Sequence, residues 1–278
     1  VEHESFLRGP SSDEVRAAGQ RLGWKLTEVE VAAITEAARG VEESYTELWN
    51  TPVTAGAAAY TGRDRGRPPA DPRDGWAWQC DIVTHDSGPL AGVRVAIKDS
   101  IAVAGLPISV GSALPIDHVS VDDAECVRRL LDAGARIVGK SQTEDLCIGG
   151  ASCTSKPVAL ANPHDVGRSA GGSSSGSAIL VATGACDLAL GADQGGSIRI
   201  PAALCGIVGL KPTFGLVPYT GVMSLVSAID HVGPMARTVV EVARALDVLA
   251  GSDRHDQRWV PRAAPRAEEA LALPFAGL

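Results

Sequence analysis

Aromatic side chains make up only 4% of the chain, and no CxxC pair, dense basic cluster or long apolar run occurs. Each of these absences excludes something. Lys and Arg number 25 against 33 Asp and Glu, a net charge of −8, so no run of phosphates can be neutralised and nucleic acid is not an expected partner. Apolar runs such as SAILVATGAC (177–186) stop at Asp187, short of the roughly 18 residues of a membrane span, and no membrane partner is expected. Without a CxxC pair, the six cysteines (Cys80, Cys126, Cys147, Cys153, Cys186 and Cys205) fit neither a disulfide framework nor a zinc site. They read as reduced, structural thiols in apolar surroundings, and no metal is expected. The opening VEHESFLRGP is charged and lacks the apolar core of a secretory signal, which implies a cytoplasmic location. What is abundant is small: Gly 31 and Pro 17 call for tight turns and close backbone approaches. With 45% hydrophobic and 21% charged residues over 278 positions, the chain is long enough for one or two domains with a sizeable core. It starts at Val1 and stops at LALPFAGL without a closing element, and it reads as a fragment, incomplete at the C-terminus.

Residues 12–23 predict a short helix capped by Ser11 or Ser12. A longer helix follows, opened by a Thr27/Glu30 capping box and carrying Val31, Ile34, Ala38, Val41, Tyr45 and Leu48 in one apolar stripe. A core face is the expected role of the stripe; its alternative is a partner surface or homodimer contact. Residues 1–50 are therefore read as a small helical N-terminal segment, and the Gly-, Pro- and charge-rich stretch 51–87 as a linker. Over 88–278 strand and helix patterns alternate: a strand at 92–99, a helix at 122–134, a strand at 135–140, a helix at 175–185, a strand at 186–193, and a helix at 238–251 opened by Thr238 and Glu241. The fold class expected is α/β, a mixed and largely parallel central sheet covered by helices.

Two short motifs mislead. GARIVGKS (134–141) matches a nucleotide-binding loop letter for letter, but its middle residues are themselves a strand, which leaves a helix cap, a strand and an exposed Lys140. GSSSG (172–176) matches a nucleophile elbow centred on Ser174, yet no strand precedes it and no histidine is identifiable as its base. More telling is a recurring theme. SAGGSSSGS (169–177) precedes a helix, and after a buried strand the chain continues as GADQGGSIRIPA. The pairs Gly171–Gly172 and Gly195–Gly196 let the backbone approach a substrate and point N–H groups at one spot, as an oxyanion site requires. A serine follows each pair, Ser173 and Ser197. Lys98, at the end of an apolar strand, can act as base if burial lowers its pKa.

VAIKD, AGGSSSGSA and GADQGGSIRIPAALCGIVGLKPTFGLVPYTG, in this order and spacing, resemble the amidase signature family of Ser-cisSer-Lys serine hydrolases over residues 88–250. The resemblance implies Ser197 as nucleophile, Ser173 as the serine joined through a cis peptide bond, and Lys98 as base. It also implies an oxyanion hole from the N–H groups of Gln194, Gly195, Gly196 and Ser197, with no metal or organic cofactor. Asp193 and Arg199 are read as an ion pair supporting the loop. The substrate class implied is a small carboxylic amide, cleaved through an acyl-enzyme. Amidotransferase subunits that make Gln-tRNA typically carry Thr before the second Gly pair and Gln after the Arg; Gln194 and Ile200 stand there instead, which looks more like bacterial amidases of nitrile and amide degradation. The rival reading is a non-catalytic chain, either a truncated relic or an amidotransferase-type subunit that needs partners.

Overall fold

A computed structural model describes residues 8–50, 62–113, 118–261, 263 and 265–273. They fall into two compact units, Val1–Ala55 and Gly56–Leu278. The first holds α1 (Ser12–Arg21) and α2 (Glu28–Asn50). Both begin with the reciprocal cap that their sequences predict: Glu14 N–H donates to Ser11 Oγ at 3.3 Å while Ser11 N–H donates to the Glu14 carboxylate at 2.8 Å, and Thr27 and Glu30 repeat the pattern. The apolar stripe of α2 is not the core face expected of it. Val31 is buried, but Ile34 is 40% and Val41 55% exposed. At 10 residues, α1 is less than half the length of the 23-residue α2. The Tyr45 and Leu48 side chains lie outside the described residues.

The second unit is built on β1 (Trp76–Ile82), β2 (Arg94–Lys98), α3 (Glu125–Asp132), β3 (Arg136–Ser141), β4 (Ala161–Asn162), β5 (Asp165–Ser169), α4 (Ser175–Ala182), β6 (Leu188–Asp193), α5 (Arg199–Leu204), β7 (Val208–Gly209), β8 (His231–Ala236), α6 (Val239–Leu249) and α7 (Ala267–Ala270). Its main sheet runs β1-β3-β2-β6-β8-β7, with β4 and β5 forming a separate ribbon. The centre, β3-β2-β6, is parallel, and both flanks are antiparallel. The sheet is thus mixed as expected, with the parallel part confined to the middle. β1 lies inside the stretch 51–87 that reads as a linker, so this unit begins well before residue 88. Its sequence hides it because the strand is irregular, with two register shifts against β3 and no clean in–out alternation.

Period-two alternation assigns the two faces of the sheet. Val95 and Ile97 of β2, Leu188 and Leu190 of β6, and Val232 and Ala236 of β8 join one buried cluster with α3 and α6. Ala96, Ala189 and Met235 point the other way, against Ala178, Ile179, Leu180 and Val181 of α4. Small residues on that second face bring α4 close, and Gly176 marks the closest approach. A Cβ there would lie 2.3 Å from Gly75 O, 2.6 Å from Gln142 N and 2.8 Å from Gln142 O, all backbone atoms. Gly176→Ala is therefore expected to destabilise the protein by about 3 kcal/mol, seen as a lower urea midpoint at unchanged m-value; an unchanged midpoint would show that the helix can shift freely.

Residues 134–141 form a helix exit at Gly134, with φ +85°, and then β3, so this stretch is no phosphate loop. Among the described residues, no helix is long and apolar enough to cross a membrane.

Candidate active site

All three parallel strands end on the same side of the sheet, where α/β folds concentrate their chemistry. β2 ends at Lys98, β3 at Ser141 leading to Thr143 and Glu144, and β6 at Asp193 leading to the second Gly-Ser loop. The first Gly-Ser loop enters α4 from the neighbouring face.

Lys98 is fully buried, as is Ser173, and Lys98 Nζ lies 2.8 Å from Ser173 Oγ and 3.3 Å from the Ala192 carbonyl oxygen. Burial drives the Lys98 ammonium below the ordinary lysine range, against the opposing pull of Cys147, Asp193 and Glu144. In the neutral form Nζ can accept the Ser173 proton. The Gly172–Ser173 peptide bond is cis. The next carbonyl along the chain is held from β3's continuation: Ser173 O accepts from Thr143 Oγ1 at 2.8 Å and from Glu144 N–H at 3.2 Å.

Ser197 sits on the second loop, partly accessible. The two loops are tied together by Ser174 N–H donating to Ser197 O at 3.1 Å. Among the described residues no hydrogen bond joins Ser173 Oγ to Ser197 Oγ; such contacts commonly tighten only when substrate is bound. Ser174 does structural duty: its hydroxyl bonds the Ala192 carbonyl and receives the Ala192 N–H, each at 3.3 Å. None of the described histidines bonds Ser173, Ser174 or Ser197; His164 bonds the Cys205 carbonyl, and His231 contacts Lys211 and backbone carbonyls.

The glycines divide by purpose. Gly171 and Gly172 are buried and make room for protein, not substrate: a Cβ at Gly171 would lie 2.8 Å from Pro201 Cα, and one at Gly172 2.7 Å from Glu144 Cγ. Gly195 is exposed with nothing within 4 Å of its missing Cβ, which leaves space for a ligand. Of the four N–H groups expected to form an oxyanion hole, one is already bonded within the protein. Gly196 N–H donates to Asp193 Oδ1 at 2.8 Å and is taken; those of Gln194, Gly195 and Ser197 have no acceptor among the described residues.

Asp193 and Arg199 form an ion pair of 2.9 Å, and Asp193 also accepts from Ile198 N–H at 3.1 Å. Burial pulls the Asp193 carboxyl upward, but the bonds from Arg199, Ile198 and Gly196 outweigh it and hold the group below the ordinary carboxylate range.

Several residues here escape sequence reasoning. Lys140 is fully buried, contrary to the exposed residue expected, and pairs with Asp99 at 3.0 Å. Asp99 also accepts from Ser109 and Val110 N–H, at 2.8 and 2.7 Å, so a satisfied buried pair braces the turn after Lys98. Glu144, buried under Gly172, takes the Thr154 N–H at 2.9 Å, while its Oε1 has no partner. Of the cysteines, all six are free, and Cys153 is exposed where apolar surroundings were expected. The partly buried Cys80 thiol, like those of Cys126 and Cys186, is pushed up to about 12 by burial. Among the described residues, no group of three or more His, Cys, Asp or Glu side chains is placed to hold a metal ion.

A sheet that delivers a buried lysine, a serine bonded to it and a second glycine-serine loop to one edge has the layout of serine-based acyl transfer. The family model described as Amidase matches residues 76–274, and the chain belongs to the amidase family. It is 49% identical over 212 residues to an enantioselective amidase of Rhodococcus rhodochrous, an overlap of 76% of this chain and 38% of that protein. It is 48% identical over 180 residues to a glutamyl-tRNA(Gln) amidotransferase subunit of Methanosarcina acetivorans, covering 65% of this chain and 38% of that one. The crystal structure of native peptide amidase from Stenotrophomonas maltophilia superposes with a TM-score of 0.63 at 39% identity, covering 66% of this chain and 39% of that chain. The chain thus spans about two-fifths of the length of these relatives.

Proposed function

We propose that the protein hydrolyses a small carboxylic amide to the acid and ammonia or an amine through an acyl-enzyme on Ser197. The observation that carries this reading is the 2.8 Å contact between Lys98 Nζ and Ser173 Oγ, both fully buried, next to the loop that bears Ser197. Neutral Lys98 takes the Ser173 proton as Ser173 Oγ takes that of Ser197, and Ser197 Oγ attacks the carbonyl carbon. The oxyanion is held by the N–H groups of Gln194, Gly195 and Ser197. As the C–N bond breaks, Ser173 gives a proton to the departing nitrogen and regains one from Lys98. Water repeats the relay on the acyl-enzyme and frees the acid. None of these steps requires a metal or organic cofactor.

Similar overall identity to an amidase and to an amidotransferase subunit does not separate the two roles. Gln194 and Ile200, where the amidotransferase pattern has Thr and Gln, favour the free-standing amidase. Incubation with propionamide, benzamide and glutamine in the presence of hydroxylamine tests this. Expected is ammonia release with hydroxamate from propionamide or benzamide, hydroxylamine having intercepted the acyl-enzyme. Turnover of glutamine alone would favour the amidotransferase reading, and ammonia without hydroxamate would remove the acyl-enzyme.

A further inference from the structure

The β6–β8 ladder pairs Asp193 with His231 in antiparallel register, and one step further along the ladder Gln194 faces Asp230. The contact is made by side chains. Gln194 Nε2 donates to Asp230 Oδ1 at 2.8 Å and to the Tyr219 hydroxyl at 3.3 Å. Asp230, 3% exposed, is itself fixed by Ser224 Oγ at 2.6 Å and by the N–H groups of Leu225 and Val226 at 3.2 and 3.1 Å. Behind it stands Arg258, its guanidinium 4.3 Å from the centre of the Tyr219 ring and 3.9 Å from Asp230 Oδ2. Asp256 ties these together, accepting from Tyr219 N–H and from Arg258 Nε, both at 2.8 Å.

Gln194 is followed by two glycines, the second at φ +127°, and backbone donors stabilise a developing oxyanion only when they are already aimed at it. The downstream half of the loop is clamped by Asp193 through Gly196, Ile198 and Arg199. The upstream half has the Gln194 side chain, whose amide donors are taken up by Asp230 and the Tyr219 hydroxyl.

We propose that Asp230 is a positioning residue for the oxyanion loop, acting through the Gln194 side chain with Tyr219 and Arg258 behind it; the proposal rests on the acyl-enzyme reading above. Gln194 contributes a backbone donor to the transition state and uses its side chain as an anchor, so it is not a substrate contact.

The test replaces Gln194 by Met, which keeps length and removes the donors, and reads amide hydrogen exchange together with steady-state kinetics. In Gln194→Met, exchange over 194–197 is expected to rise at least about tenfold while β6 and β8 stay unchanged, with kcat lower by about 10- to 100-fold and KM within about twofold. Gln194→Glu sets two carboxylates against each other and is expected to do worse; adding Asp230→Asn reverses the polarity of the bond and restores at least about tenfold of the loss. Unchanged exchange at 194–197 would overturn the proposal. So would a higher KM at unchanged kcat, which would make Gln194 a substrate contact, or faster exchange throughout the sheet, which would make the pair merely structural. A wild-type protein that releases no acyl product defeats the acyl-enzyme reading, whereas the exchange measurement, which needs no turnover, still decides whether the anchor holds the loop.

Discussion

Replacing Ser197 by Ala is expected to abolish covalent labelling by a fluorophosphonate probe and to lower amide turnover by about a millionfold, the scale seen when a serine nucleophile is deleted. The fold should survive, because Ser197 contributes to the structure through its backbone: its carbonyl accepts from Ser174 N–H at 3.1 Å, and among the described residues no bond in which its hydroxyl takes part joins the two loops. Melting temperature and far-UV circular dichroism should therefore match the wild type. Mass spectrometry of the labelled wild type should find the adduct on Ser197. Undiminished labelling of the variant, or an adduct on Ser174, would return the chemistry to the GSSSG motif. That outcome is disfavoured by the Ser174 hydroxyl, which already bonds the Ala192 backbone on both sides.

The Lys98 substitution has the second largest expected effect. Lys98→Met removes the proton acceptor and should lower kcat by about 10²- to 10⁴-fold. The wild-type rate should rise with pH through a pKa below the ordinary lysine range, the direction that burial imposes, since only the neutral amine accepts a proton; the variant should lack that rising limb. Stability should respond in a matching way. Because the folded-state pKa is depressed, the unfolded chain binds the extra proton, and the charged amine destabilises the fold fully below the folded pKa. The penalty fades as pH rises from the folded pKa to the unfolded one, about 10.4. The stability of Lys98→Met relative to wild type should thus be most favourable at low pH and become steadily less so across that window, as followed by urea titration. A rising limb that persists in Lys98→Met, centred near the ordinary histidine value, would assign the base to a histidine.

The Lys98–Ser173 juxtaposition was legible where residue types are rare in combination. Two Gly-Gly-Ser steps flanking a buried strand, with a lysine at the end of an earlier strand, have few other uses, and the structure brings Lys98 onto Ser173. The helices were legible where a cap announced them, as at Ser11, Thr27 and Thr238, and the central strands where apolar runs were short and bounded. Other features depended on partners that a linear reading does not supply. Lys140 looks like any strand-end lysine until Asp99, 41 residues away, is found against it. Glu144 and Asp230 lie in ordinary polar stretches, and their importance comes from what the fold sets opposite them. β8 was missed because HVGPMA carries Gly and Pro, the marks of a turn. Its proline is tolerated because β7 pairs only with Ala236 and Met235, and at Pro234 the neighbouring chain needs just the carbonyl, which accepts from Leu210 N–H at 3.0 Å. The α2 stripe misled in the opposite direction: a periodic apolar face is necessary for burial but not sufficient, and Ile34 and Val41 stay exposed beside a buried Val31.

The parallel centre of the sheet makes the site a gauge of the whole fold. Lys98 and Ser173 stand 75 residues apart in the chain, and they meet only because β2 lies between β3 and β6 with α4 packed across them. No short peptide contains the pair, and no partly folded species that has lost β2 can rebuild it. On the proposed acyl-enzyme mechanism, labelling at Ser197 is expected to act as an active-site titrant: the fraction of chains that react should count the molecules whose sheet is intact and vanish in step with the cooperative loss of that sheet.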